Sequence, residues 1–160
     1  MDAIDRRILS HLQNDSSIPL SELAKKVHLS KTPCWRRIQK MEKSGVICRR
    51  VALVDPAKVG QGLAVFVYIR ANKHNAQWLA EFARTVSGFP EVIEFYRLSG
   101  EWDYFIRVAV SDISAYDRFY KNLVENAGLE NVTSSFGMEE IKYTTAIPLN
   151  EDAFTGAKPP

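Results

Sequence analysis

The sequence predicts an α+β chain in two parts, and three observations carry that prediction. Residues 2–44 hold three short stretches whose apolar residues recur at helical spacing, and residues 63–143 alternate strand-like and helical stretches in the order βαββαβ. The charge divides along the same line: residues 1–50 carry eleven Lys and Arg against five Asp and Glu, residues 51–160 ten against fourteen. The total of +2 over 160 residues hides this split, while 46% hydrophobic and 25% charged residues exclude a disordered or collagen-like chain. The length suits one compact domain or two small ones. No apolar run approaches the ~20 residues that span a bilayer. The start, Met1-Asp2-Ala3-Ile4-Asp5, is acidic where a signal peptide would be basic, so a cytoplasmic protein is expected.

In the first part, Ile4, Ile8, Leu9 and Leu12 share one helical face over residues 2–15, with Asp2 and Asp5 at the positive end of the helix dipole. Leu20, Leu23, Ala24 and Val27 predict a second short helix entered through Pro19 and closed by His28-Leu29-Ser30. The third helix opens with Ser30 or Thr32 as N-cap and Pro33 in its first turn, and stops at Ser44-Gly45. Its apolar residues Cys34, Ile38 and Met41 lie at i, i+4 and i+7, so they face inward. Lys31, Thr32, Arg36, Gln39, Lys40 and Lys43 fall largely on the other face, and Trp35 and Arg37 flank the seam. Residues 46–54 (VICRRVALV) are strand-like and end at the Asp55-Pro56 turn signal. Three short helices, a tight turn before the third and a strand after it describe a winged helix-turn-helix over 1–54, whose third helix enters the DNA major groove. A three-helix bundle with a solvated basic face is the competing reading.

Metal and disulfide chemistry find no support in the sequence. Cys34 and Cys48 are too few and too irregularly placed for a disulfide framework, and read as filler or core thiols. His11, His28 and His74 have no Cys or His partner at ligand spacing. No Ser-His-Asp pattern or phosphate-cradling glycine loop is present, so neither catalytic residues nor a cofactor are expected.

Residues 55–62, with one Pro and two Gly, read as a linker. Then 63–71 (LAVFVYIRA) is apolar and β-branched, 76–87 carries Trp78, Leu79, Phe82, Ala83 and Val86 at helical spacing, and 92–98 reads as a strand. A strand at 104–110, a helix at 113–125 and an extended segment at 132–143, with Gly137 as a bulge, complete the order. This predicts a ferredoxin-like domain over 63–149, an antiparallel four-stranded sheet with both helices on one side. Its other face is bare and needs a cover, for which a second copy of the chain is the usual solution. Residues 150–160, with Pro159-Pro160, are expected as a flexible tail.

Three stretches resemble a known family: LSKTPCWRRI at 29–38 with MEKSGVI at 41–47, GEWDY at 100–104, and MEEIK at 138–142. Together they are similar to the bacterial and archaeal Lrp/AsnC regulators, also called feast/famine regulatory proteins, over residues 2 to about 149. TSSFGMEEIKYTTAIPL and PCWRRIQKMEKSGVI look most like the DecR-type branch, which is associated with cysteine metabolism. Two positions depart from the pattern: Trp35 stands where Leu is common, and His28 where Gly or Asn is frequent. His tolerates a left-handed backbone better than most side chains, so the turn is expected to survive.

The resemblance implies a transcriptional regulator binding double-stranded DNA as a homodimer that assembles further, to an octamer, and sensing an amino acid. Ser30, Lys31, Thr32, Pro33, Arg36 and Arg37 sit in the half of the third helix that would meet base edges, with Arg36 the first choice for bidentate contact to guanine. Lys40, Lys43, Arg49 and Arg50 suit phosphate contact, as does Ser21 at the front of the second helix; each basic residue is otherwise a solvated side chain. Trp35 borders the apolar face and reads as semi-buried packing rather than base stacking, with contact to DNA the alternative. The resemblance further implies that the loop Ser99-Gly100-Glu101-Trp102-Asp103-Tyr104 and the last strand line amino-acid pockets between subunits. Gly100 would expose backbone, Asp103 would accept from an ammonium, and Ser134 and Ser135 would offer hydroxyls. The alternative for this loop is a plain turn capped by Asp103, with Tyr104 a core aromatic. Two rival functions stand beside the regulator: a sirohaem-type tetrapyrrole decarboxylase on the same fold, and an architectural protein that coats DNA with little sequence preference.

Overall fold

The computed structural model describes residues 1–71, 75–127, 129 and 131–149; the expected tail at 150–160 and His74 lie outside the described residues. Helices α1 (Ala3–Asn14), α2 (Leu20–Lys26) and α3 (Lys31–Lys43) come first. A short 3-10 turn, Ala57–Val59, within the segment expected as a linker, leads to β1 (Leu63–Arg70), α4 (Ala76–Ser87), β2 (Val92–Arg97), β3 (Tyr104–Val110), α5 (Ile113–Ala127) and β4 (Asn131–Phe136). The chain falls into two compact units, Met1–Ala52 with the segment from Ile141, and Leu53–Glu140.

The first unit closes over Ile8, Leu9, Leu23, Ala24, Val27, Cys34, Ile38 and Met41, which are the apolar faces of the three helices. Local chemistry sets each helix end. Asp2 caps α1, its Oδ1 accepting from the N–H groups of Ile4 and Asp5 at 2.9 Å, while Asp5 Oδ2 accepts from the N–H of Asp2 at 3.0 Å. α2 ends in a left-handed residue, and His28 takes that role at φ 58°. Leu29 N–H reaches back to Ala24 O at 2.8 Å and His28 N–H to Lys25 O at 3.1 Å, the pair of bonds that closes a Schellman turn. The tight entry to α3 thus survives the substitution of His for the usual Gly or Asn.

One expectation about this unit needs correction. Residues 46–54 form no strand, because among the described residues no other segment pairs with them; a ladder needs a neighbour, however β-prone the sequence. Residues 141–149 group by packing with the helices. Leu149 packs on the helical core, and Gln13 clasps the backbone of Ile147 twice, Nε2 donating to its O at 3.2 Å and Oε1 accepting from its N at 2.9 Å.

The second unit is an antiparallel sheet in the order β2-β3-β1-β4 with α4 and α5 packed on one side. Alternation decides the faces. Val65, Val67 and Ile69 of β1 and Tyr104, Ile106, Val108 and Val110 of β3 are buried against Phe82, Val86, Tyr116, Phe119 and Leu123 of the helices. Asn75 caps α4 by accepting from Trp78 N–H, and Asp112 opens α5 by accepting from Ala115 N–H, each at 2.8 Å. The opposite face carries an aromatic row: the Phe105 ring lies 6.2 Å from Phe66, 5.4 Å from Tyr68 and 6.3 Å from Tyr96, beside a pair in which Glu94 accepts from Arg107 Nε at 2.7 Å.

β4 is shorter than the expected 132–143. Phe136 pairs with Val65 and Gly137 N–H bonds Ala64 O at 2.8 Å, one residue short of the start of β1 at Leu63. Gly137 is therefore the last rung of the ladder rather than a bulge. A Cβ there would lie 3.3 Å from both Ala64 O and the Phe66 ring, so a larger residue would have to push these neighbours back by a few tenths of an ångström.

Candidate nucleic-acid interface and effector site

α3 is amphipathic in the sense the spacing predicts. Cys34, Ile38 and Met41 are buried, while Lys31, Thr32, Pro33, Trp35, Arg36, Lys40 and Lys43 are exposed. Trp35, Arg36, Gln39, Lys40, Lys43 and Ser44 line one shallow open groove. Ser30 occupies the N-cap position without a side-chain cap bond, so the first N–H groups of α3 are not consumed by it. Ser21 is half-buried at the start of α2. Burial among apolar neighbours pushes the Cys34 thiol up, as befits a core thiol, whereas Cys48 is exposed.

The two arginines at the middle of α3 separate in role. Arg36 points outward, but the guanidinium of Arg37 is tied to Asp2 Oδ2 at 2.6 Å and Asp5 Oδ1 at 2.7 Å. Arg37 therefore braces α3 against the N-terminus of α1. The bonds to Asp5 and then Asp2 hold its guanidinium above its ordinary value. Asp2 in turn is lowered from 3.8 to about 2, first by the Asp5 N–H and then by Arg37. Arg50 also has a partner, donating from Nη2 to Glu42 Oε1 at 3.0 Å, while Gln39 Nε2 donates to Glu42 Oε2 at 2.7 Å. Arg49 is exposed. Trp35 is 51% exposed and lines the outer groove.

The loop after β2 is organised by its own polar groups. Gly100 sits at φ +131°, a backbone that glycine alone adopts readily, and a Cβ there would meet nothing within 4 Å. Asp103 Oδ2 accepts from Ala71 N–H at 2.8 Å, its backbone N–H donates to Ile69 O at 3.0 Å, and its carbonyl accepts from Leu98 N–H at 2.8 Å. Arg70 holds the other side: Nε donates to Glu101 O and Nη2 to Glu101 Oε1, both at 3.2 Å, with the guanidinium 5.2 Å over the Trp102 ring. Arg70 was not singled out from the sequence, since 31 positions separate it from Glu101 and no local pattern links them.

The remaining effector-site candidates are placed in different surroundings. Tyr104 is a core side chain, 4% exposed and packed on Trp78, Phe82 and Phe95, with its phenol pushed up by that burial. Ser134 and Ser135 lie on opposite faces of β4, because successive strand residues alternate. Ser134 turns to the helix side and pairs its hydroxyl with Tyr116, while Ser135, opposite Phe66, shares the aromatic face. Ser99, Gly100 and Glu101 remain exposed at the loop.

Comparison with known proteins now adds its weight. Residues 1–42 match the AsnC-type helix-turn-helix domain and residues 64–147 the Lrp/AsnC ligand binding domain. The chain belongs to the Lrp/AsnC family. It is a transcriptional regulator of that family, 47% identical over 150 residues to the DNA-binding transcriptional activator DecR of Escherichia coli, covering 93% of this chain and 99% of DecR. It is 48% identical over 151 residues to the glutamate uptake regulatory protein of Zymomonas mobilis, with 94% and 92% covered. Among solved structures, an AsnC family regulator from Agrobacterium tumefaciens superposes with a TM-score of 0.90 at 57% identity, covering 92% of this chain and 97% of that one. A Neisseria meningitidis regulator in complex with L-Met gives 0.89 at 34%, covering 94% and 97%. Among the described residues no helix is long and apolar enough to cross a membrane, and no group of His, Cys, Asp or Glu is placed to hold a metal ion.

Proposed function

We propose that this Lrp/AsnC regulator reads double-stranded DNA with the outer face of α3 and responds to an amino acid bound at the loop 99–103 of its second domain. The observation that carries the first half is the division of α3 into a buried apolar face and an exposed face bearing Thr32, Arg36, Lys40 and Lys43. Arg36 suits guanine O6 and N7, Lys40, Lys43 and Arg49 suit phosphates, and Ser21, Ser30, Lys31 and Pro33 stand where the backbone would pass. Once engaged with Glu42, Arg50 adds positive charge without full freedom to follow a phosphate.

The amino-acid half draws support from the L-Met complex of the Neisseria relative and from the glutamate uptake function named for the Zymomonas relative. In this chain the exposed Gly100 backbone, the second oxygen of Asp103, Glu101 and the Ser135 hydroxyl are the groups that face outward. A second copy laid over the aromatic sheet face would complete the pocket and give a dimer, with assembly of dimers up to an octamer in the cytoplasm. Light scattering of the purified protein measures that assembly.

Footprinting on genomic fragments tests the function: a regulator protects defined sites, and uniform protection would instead support the architectural reading. A thermal-shift screen against the twenty amino acids tests the sensor, since a ligand that binds only the folded state raises the midpoint. Cysteine, methionine and glutamate are the first to compare. Silence across the panel would remove the amino-acid reading.

A further inference from the structure

We propose that Trp35 is a specificity-determining residue that reads the 5-methyl group of a thymine in the major groove; the proposal rests on α3 being the DNA-reading helix. The indole is 51% exposed at one edge of the outer face, on the flank opposite Arg37. Its companions in the groove are Arg36, Gln39, Lys40, Lys43 and Ser44, all polar or charged. The tryptophan of α4 shows how this chain treats an indole it needs for packing: Trp78 lies against the second core with its ring stacked 4.9 Å from Phe82. Trp35 receives no such placement, although the buried face of α3, with Cys34 and Ile38, is only a turn away.

The occupant follows from chemistry. Arg36, Lys40 and Lys43 on the same face favour a polyanion, so Trp35 is carried toward nucleic acid by its neighbours. A helix lying in the major groove meets the edges of stacked bases, not their faces, which excludes stacking on a base still in the duplex. Of the groups displayed on those edges, the thymine methyl is the apolar one, and apolar side chains pair with it. Trp35 adjoins Arg36 in sequence and projects to one side of it, so the methyl it contacts belongs to a base pair next to the one Arg36 reads.

The experiment enriches binding sites from a randomised duplex library with wild-type protein, then replaces each thymine of the enriched site in turn by deoxyuridine, which removes the methyl and nothing else. Wild type is expected to lose about three- to fivefold in affinity at one thymine position, the worth of one buried methyl-sized group. Trp35→Phe, which keeps an apolar ring and removes the indole N–H, should retain that penalty. Trp35→Ala and Trp35→Gln should bind the thymine and uracil duplexes equally, with circular dichroism showing that both variants are folded. Indifference of wild type to uracil at every position, or an unchanged penalty in Trp35→Ala, overturns the proposal alone. If wild type enriches no site at all, the reading of α3 falls, and this proposal falls with it.

Discussion

The outer face of α3 and the loop after β2 are built on opposite principles. On α3 three cations are held out, Arg36, Lys40 and Lys43 being exposed, and the helix beneath them is secured by Cys34, Ile38 and Met41 together with the Arg37 brace. In the loop the polar groups are largely spent on one another, Asp103 on Ala71 and Arg70 on Glu101. A surface that reads a large partner works by presenting charge on a rigid element, as the outer face of α3 does. A surface meant for a small molecule needs enclosure, which one exposed loop beside an open aromatic sheet face does not supply. The difference explains why the proposed DNA face can be described side chain by side chain while the proposed effector site depends on what covers it.

That comparison can be broken in four places. The largest effect is expected from Phe119→Ala, which empties a 2%-exposed position between sheet and helices and should cost about 3–5 kcal/mol. Denaturant unfolding followed through the second domain should show it, with DNA affinity per folded molecule unchanged; a matching loss in DNA affinity would show that the helices depend on the sheet domain. The neighbours Arg36 and Arg37 come next. Arg36→Ala should lose about 1–3 kcal/mol of sequence discrimination in a binding assay without lowering the unfolding midpoint. Arg37→Ala should do the reverse, lowering the midpoint of the helical domain while leaving the preferred site unaltered, because its guanidinium is used inside the fold.

Asp103→Ala removes the acceptor of the Ala71 N–H and should destabilise the second domain by about 1 kcal/mol. It should also abolish any amino-acid shift in the thermal screen while footprints persist; ligand affinity equal to wild type by calorimetry would show that the pocket lies elsewhere. The smallest effect concerns Asp2, whose folded value of about 2 lies below its ordinary 3.8. A depressed carboxyl contributes its stability above the ordinary value, and the contribution fades as pH falls from about 4 through about 2. Asp2→Asn keeps a competent N-cap but lacks the charge, so its midpoint should fall less steeply than wild type across that window.

Much of this molecule was legible because it depends on local pattern. The spacing of Cys34, Ile38 and Met41 placed the buried face of α3, and the alternation of β1 and β3 placed the core of the second unit. What escaped did so for a common reason: it depends on residues far apart in the chain. Arg37 looked like its neighbour Arg36 until folding brought Asp2 and Asp5 beside it. Trp35 borders the apolar seam in projection, and only the packing of α1 and α2 leaves that flank uncovered. Ser134 and Ser135 are the exception, since the two-residue period of a strand, a local property, sends them to opposite sides of the sheet.

The sequence by itself determined the order of elements, the two-part architecture, the family, and the identity of the helix that carries the basic face. Each rests on periodicity, charge or motif, all properties of short stretches of chain. The tertiary structure alone decided where β4 ends, which depends on how much of β1 remains to pair with it. It also decided that 141–149 returns to the helices through Gln13 and Leu149, and which cations are spent internally. A hydrogen bond or ion pair between distant residues is a fact about three-dimensional proximity, and no window of sequence contains both partners.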